Sequence, residues 1–479
     1  MPISTPHPDH SAMAPFWAQV RDCVTGSARV KAAGYLPCPT GLSKFDGTYA
    51  AYSKRALYYG APGRTVEALA GLLFQKAPVV VVPPGSEDYL LDINLAGTTF
   101  ELLAHHAARE VITTGRHGLL VDVATEGEVR PYMVAIHAEN ITGWRVERLG
   151  GDEVLTRLVL KEFIDEDDPA DPYTVKSVER YSELALVDGV YKVRVWSRSD
   201  PALVVSTSMT PWSAGDWLTP MRRGKALDFI PFVFLGPASL TADVVAPPIL
   251  ALTDIALSWF FTSADLEWGQ HYVGTPTYWA SGLAGDDKAA ALHVGSSTAW
   301  LLSENGRAGV IEVGGQGFAA LRESLEMKAR LMATLGARLL EGQPKGSETA
   351  TAVGMRHSGE HANLRTIAQV LEQGLTAALK MLVWWAAVDE KVAHVNAGVE
   401  INKDFFAVKA SPDEIKTLFL LWQGGGCTFD TLYEGLQKGG WSREGITAKE
   451  EKAAIDRAEE NIRLLPPPGA DDEDDDAVH

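Results

Sequence analysis

Cysteine is scarce in this chain of 479 residues: Cys23, Cys38 and Cys427 lie far apart. They form no metal-binding spacing and are too few for a disulfide framework, which points to a reducing compartment. Long apolar runs are missing too. The longest strongly apolar run, residues 381–388, falls well short of the roughly 20 residues a membrane-crossing helix needs. The opening Met1-Pro2-Ile3-Ser4-Thr5-Pro6 has no basic segment followed by an apolar one, so no signal peptide is expected. A soluble protein follows, with no membrane partner. Basic charge is outweighed, 43 Lys and Arg against 62 Asp and Glu, for a net charge of −19. Removing the six acids of the run 471–476 from that −19 leaves −13. A sequence-reading DNA binder carries a basic patch. None is visible, so any contact with DNA is expected to be transient or local. The P-loop pattern G-x-x-x-x-G-K-[S/T] and the nucleophile elbow G-x-S-x-G are both missing, and no internal repeat recurs at a fixed period.

What is present is ordinary globular material, 46% apolar and 22% charged, long enough for two to four domains. Residues 1–12 are Pro-, His- and Ser-rich and read as loose. Helical patterns are predicted over 15–33, 45–59 and 62–76, then a short strand at 79–82. Residues 98–114 predict an amphipathic helix capped by Thr98 or Thr99, with Phe100, Leu103, Ala107 and Val111 on its face and Gly115 closing it. β character dominates next, over 119–123, 132–136, 154–163, 173–181, 191–196 and 230–235, with Gly, Asp and Pro between the runs. Later come a long helix over 350–388, a short strand at 399–401, and helices over 416–423, 430–437 and 447–464. The proline-rich end, 466–479, reads as disordered.

The most informative stretch runs from 243 to 341. Two long stripe helices flank about forty residues, 274–315, that never become helical. The first helix opens at Pro247-Pro248 and places Ile249, Leu252, Ala256, Trp259, Ser263 and Leu266 on one seam. The second places Phe318, Leu321, Leu325, Met332, Leu335 and Leu339 likewise, while Arg322, Glu326, Lys328 and Arg330 charge the remaining faces. Each helix would span roughly 35 Å. Between them, 277–279 and 297–302 read as short glycine-bounded strands. Such an excursion has little use in a compact monomer; it suits copies standing side by side with their seams closing a ring.

Catalytic patterns are weak. His357, Glu360 and His361 match the H-x-x-E-H of inverted zinc peptidases, but no third ligand is identifiable by spacing, and Gly359 weakens the helix there. A solvated helix face is the favoured reading. Gly315 and Gly317 mimic a dinucleotide turn without the second parallel strand or ribose-binding acid that turn needs. His105 and His106, beside Glu101, Arg109 and Glu110, read as a charged, solvated face. Trp384, Trp385 and Trp422 read as packing residues. Lys345, Arg356 and Arg365 are isolated basic residues that suit either phosphate contact or solubility. No enzymatic activity, cofactor or metal is expected.

Several stretches, in order, resemble the portal proteins of tailed bacteriophages, in particular a poorly characterised portal-like subfamily. They are Tyr58-Tyr59-Gly60-Ala61-Pro62-Gly63-Arg64 running on to Phe74, Glu110 to Asp122 with Gly115-Arg116-His117-Gly118, Arg130-Pro131-Tyr132 with Ala138-Glu139-Asn140-Ile141, Ser263 to Gly269, Gly295 to Trp300, and Met332 to Leu340. Together they cover about residues 45–440. The resemblance implies an α+β, portal-type fold: a wing (1–242), a first stem helix (243–273), a clip (274–315), a second stem helix (316–341), a tunnel loop (342–352), a long helix returning to the wing (353–410), a helical crown (411–465) and a disordered acidic tail (466–479). It implies a homo-oligomeric ring, commonly of twelve subunits, at one vertex of the virion capsid, made in the host bacterial cytoplasm. Double-stranded DNA would pass through the ring without sequence specificity, on packaging and on ejection. The implied partners are the terminase large subunit, a head–tail adaptor, and major capsid and scaffold proteins. Oligomerisation would fall to the stem seams (Ile249, Leu252, Trp259, Leu266, Phe318, Leu321, Leu325, Met332, Leu335) and partner docking to Tyr278, Trp279 and Trp300 of the clip. By position alone, Lys345, Ser347 and Arg356 would face DNA. The acidic balance suits a channel in which DNA slides, since each Lys or Arg contact to phosphate adds salt-dependent affinity. The alternatives are a zinc hydrolase on His357, Glu360 and His361, or another phage head protein that forms no ring.

Overall fold

The computed structural model describes residues 2–123, 130–168, 171–198, 212–275, 277–283, 300, 302–311, 317–337, 350–387, 391–403, 405, 412–438, 442 and 446–463. Two compact units emerge, residues 1–403 and 404–479. The first is α+β. Its helices are α1 (Pro8–Thr25), α2 (Ser27–Ala33), α3 (Thr48–Arg55), α4 (Ala61–Leu73), α5 (Asp88–Leu91), α6 (Phe100–Thr114), α7 (Leu250–Gly274), α8 (Gly317–Met332) and α9 (Ala350–Ala386). Its strands are β1 (Val79–Val81), β2 (His117–Val123), β3 (Pro131–His137), β4 (Ile141–Leu149), β5 (Asp152–Asp168), β6 (Asp171–Val187), β7 (Val190–Arg198), β8 (Trp212–Ala214), β9 (Met221–Arg222), β10 (Lys225–Ala226), β11 (Phe232–Leu235), β12 (Thr277–Leu283), β13 (Leu302–Ile311) and β14 (Gly398–Glu400).

Every described strand pairing is antiparallel. A three-stranded sheet in the order β11-β2-β3 lies at the centre, and a five-stranded meander β4-β5-β6-β7-β8 extends from it. β1 pairs with β14, so a strand near the start of the unit is closed by one near its end. α6 forms where its capping residues say it should. The Thr99 hydroxyl accepts a hydrogen bond from the Leu102 N–H at 3.3 Å, and Gly115 ends the helix in the left-handed region at φ 73°. Phe100, Leu103, Ala107 and Val111 are all buried, as the periodicity requires. α9 lies over the central sheet with Leu371, Leu375, Leu379 and Leu382 buried. Gly374 makes room there, because a Cβ at that position would lie 2.1 Å from Leu235 Cδ2.

Four sequence expectations change. Residues 8–12 are not loose: α1 begins at Pro8, with Pro at its first turn. The His7 ring stacks on Trp144 with centroids 4.1 Å apart, and the Trp17 indole N–H donates to the Thr114 carbonyl at 3.0 Å. The helix expected over 45–59 shrinks to α3. β4 went unread because Gly143 interrupts its pattern, and β8, β9 and β10 because two or three residues are too short to show an alternation. The strand expected at 297–302 is described from Leu302 and extends on to Ile311, while 297–299 and 301 lie outside the described residues.

The second unit contains α10 (Pro412–Gln423), α11 (Phe429–Lys438) and α12 (Ala448–Arg463), close to the predicted spans. A capping box starts α12: the Thr447 N–H donates to Glu450 Oε2 at 2.8 Å, and the Glu450 N–H donates to Thr447 Oγ1 at 3.3 Å.

Candidate functional site: a helix–hairpin–helix arm

α7, the β12–β13 hairpin and α8 form the arm that the sequence singles out. α7 and α8 run antiparallel, and their register can be followed along the pair. A Cβ on Gly269 would lie 2.6 Å from Phe318 Cε1, so the ring sits directly on the glycine. Further down, Lys328 Nζ donates to the Ser258 carbonyl at 3.1 Å and to the Thr262 hydroxyl. At the base, Met332 packs with Ala61, Leu252 and Ala256. Beyond it, a Cβ on Gly336 would lie 2.8 Å from Thr65 Cγ2 and 3.0 Å from Leu252 Cδ2. Burial lowers the Lys328 pKa, with the Asp265 carboxylate pulling the other way.

The rest of α7 is tied to the helical layer of its own chain. Leu257, Phe260 and Ala264 share a core with Cys23, Val30, Leu36, Tyr52 and Ala56. The buried Ser263 hydroxyl donates to the Leu57 carbonyl at 3.0 Å and accepts the Leu57 N–H at 2.8 Å. Tyr52 donates to Asp265 Oδ1 at 2.7 Å, and Gln19 Nε2 donates to Asp254 Oδ1 at 2.6 Å. At the root, the buried Arg116 guanidinium donates to the carbonyls of Ala242 and Asp243, at 2.7 and 3.1 Å, between the rings of Trp144 and Phe234. Burial lowers the Arg116 pKa to about 10, against the opposing Asp243 charge.

This placement separates the predicted seam residues. Ile249, Leu252, Leu266 and Met332 are buried inside one chain rather than left open for a neighbouring copy. Trp259 is half-buried against Tyr59, with ring centroids 5.7 Å apart. Phe318, Leu321 and Leu325 are half-buried, and Leu335 is open. Packing the inner stripe of α8 on α7 leaves Met327 and Leu331 of α8, and Leu335 in the turn that follows it, exposed at 54%, 45% and 54%. Sequence reasoning missed Met327 and Leu331, although their spacing of four from each other and from Leu335 is a helical stripe in its own right.

The hairpin carries the same signal. Tyr278 pairs with Val310 and Trp279 with Gly309, and neighbouring pairs face opposite sides of the ribbon. Tyr278, Trp279, Val310 and Ile311 are all exposed, so the described ribbon is apolar on both faces and covered on neither. The Trp279 indole lies across Gly309, where a Cβ would meet Nε1 at 2.9 Å, and Trp300 meets Tyr278 edge-on at 6.3 Å between centroids. Of the three predicted docking aromatics, Tyr278 and Trp279 are neighbours on β12, and Trp300 precedes β13.

Lys345 and Ser347 lie outside the described residues. Arg356 falls within α9 rather than in a loop, and so do His357, Glu360 and His361. Gly315 also lies outside the described residues, while Gly317 is the first residue of α8. The reading of His106 as solvated is corrected: its ring is partly buried among His117, His137 and Glu110. Trp384 is buried, with the Arg222 guanidinium over its ring at 4.1 Å.

Among known families, one described as Domain of unknown function (DUF4055) matches residues 248–386, which contain the whole arm and all of α9. No curated protein matches the chain. Among solved structures, the chain is similar to one from the neck of an empty GTA particle computed with C6 symmetry. Identity is 12%, coverage is 88% of this chain and 99% of that one, and the TM-score is 0.36. It is also similar to a chain from the neck of a native GTA particle computed with C12 symmetry, with 13% identity, coverage of 85% and 95%, and a TM-score of 0.34. No helix among the described residues is long and apolar enough to cross a membrane.

Proposed function

We propose that this chain is a ring-forming structural subunit of a phage-type particle, a portal, whose arm supplies the stem and clip. One observation carries the reading: the arm ends in a two-stranded ribbon with apolar side chains exposed on both faces, and toward its base α8 leaves Met327 and Leu331 open, with Leu335 open just beyond it. An isolated two-stranded ribbon is marginal in water, and contiguous exposed apolar surface marks an interaction site. Arms from neighbouring copies, standing side by side, would cover both. The resemblance of the stretches at 58–74, 110–122 and 332–340 to portals supports the same reading.

On this proposal, residues 1–242 and α9 form the wing, α7 and α8 the stem, β12–β13 the clip and 411–465 the crown. The ring, commonly of twelve subunits, sits at a capsid vertex and passes double-stranded DNA without reading its sequence. Terminase, and then a head–tail adaptor, dock on Tyr278, Trp279 and Trp300. Major capsid and scaffold proteins surround the wing. The chain has no catalytic activity of its own, and its location is the virion. Ring contacts fall to the outer α8 stripe, because the inner seam is occupied within the chain.

Negative-stain electron microscopy of the purified protein over a range of concentrations tests this. Rotationally symmetric annuli with a central hole are expected from the wild type, and dispersed particles from the Met327→Asp, Leu331→Asp double variant. Small compact particles from the wild type at every concentration, even with scaffold and capsid protein added, would overturn the portal reading.

A further inference from the structure

Away from the arm, four titratable side chains converge where α6 meets the central sheet. α6 carries His106 and Glu110 one turn apart, hence on one face. His117 opens β2, His137 closes β3, and the two are partners across the ladder, so their side chains leave the same face of the sheet. One ligand atom each from His106, Glu110 and His137 lie within 4.8 Å of one another. The His117 ring stands 5.6 Å from His106 and 6.1 Å from His137 between centroids.

His117 has no solvent exposure, and neither of its ring nitrogens has a hydrogen-bond partner. An imidazole always offers a donor or a lone pair at each nitrogen, and buried polar atoms are normally satisfied. The charges around it leave a place for a cation. Arg21 donates to Glu110 Oε2 at 2.6 Å and Oε1 at 3.2 Å, and to Glu139 through Nε and, at 2.9 Å, through its terminal nitrogen. His137 Nδ1 also faces Glu110 Oε2, at 2.9 Å. One guanidinium thus serves two carboxylates, with one negative charge in surplus. For Glu110, burial acts to raise the pKa, but the His137 and Arg21 hydrogen bonds and the Arg21 charge outweigh it and hold the carboxyl well below its ordinary range.

We propose that His106, Glu110, His117 and His137 form a binding site for a borderline divalent transition-metal ion such as Zn2+, clamping α6 to the β2–β3 hairpin. Three imidazoles and one carboxylate make a four-coordinate set suited to such an ion and poorly suited to Ca2+ or Mg2+, which prefer oxygen donors. The ion takes the position that Arg21 and His137 now share at Glu110 Oε2, and Arg21 stays charge-paired through its two bonds to Glu139. The His137 side chain is 44% exposed, which leaves a way in from solvent.

The test is titration of full-length, EDTA-stripped protein with ZnCl2 by calorimetry, with elemental analysis after gel filtration and circular dichroism to check folding. One zinc per chain is expected, with at least about tenfold weaker binding in His106→Ala and in His137→Ala. Binding should be unchanged in His357→Ala, and MgCl2 should give no heat. Zinc should raise the melting temperature of the wild type but not of His137→Ala. The proposal is overturned if no zinc binds, if both variants bind as the wild type does, or if only His357→Ala loses the ion.

Discussion

The base and the tip of the arm use the same kinds of residue under different rules. At the base, Leu252, Ala256, Phe260 and Ala264 are buried, and the hydroxyl of Ser263 and the ammonium of Lys328 find partners within the same chain. At the tip, Trp279, Val310 and Ile311 are apolar and open. Base residues therefore specify how one chain folds. Tip residues leave apolar surface in the open, and contiguous exposed apolar surface marks an interaction site.

Substitutions should separate the two regions. Phe260→Ala, at the centre of the base, is expected to cost about 3–5 kcal/mol of stability through a cavity, read as a lower urea midpoint. Ser263→Ala strips the Leu57 N–H and carbonyl of their partner and should cost about 1–3 kcal/mol by the same measurement. Lys328→Met adds a pH signature. Burial lowers the folded pKa of Lys328 below the 10.5 of an unfolded lysine. The unfolded state therefore binds more protons between those values, and wild-type stability rises with pH across that window. The methionine variant should lack this rise; an identical alkaline profile in both proteins would show that Lys328 is not held between the helices. On the outer face of α8, toward the base, Met327→Asp with Leu331→Asp should leave monomer stability within about 0.5 kcal/mol per site while removing the rings of the proposed assembly. Smallest of all, Glu326→Gln breaks an exposed pair with Arg330, at 3.4 Å, and should change neither the urea midpoint nor assembly.

Much of the fold was legible because local chemistry and tertiary use agree. α6 has its threonine cap and closing glycine, α4 ends ahead of Pro78, α9 keeps one apolar face, and α12 opens on a capping box. β13 was harder. Ser303-Glu304-Asn305-Gly306-Arg307-Ala308-Gly309 was not among the expected strands, yet it is strand because β12 supplies the ladder, and Gly309 makes room for the Trp279 ring. The histidine group was invisible for a related reason. Only His106 and Glu110 have a helical spacing, while His117 and His137 are brought to them by strand register.

Sequence alone determined the arm: two stripe helices around a glycine-bounded, non-helical excursion, each set by periodicity that any helix or strand must obey. Tertiary structure alone decided which stripe is spent inside the chain. Burial depends on what stands opposite, and α3, α4 and the antiparallel partner cover Leu252, Phe260 and Met332 but leave Met327 and Leu331 in the open.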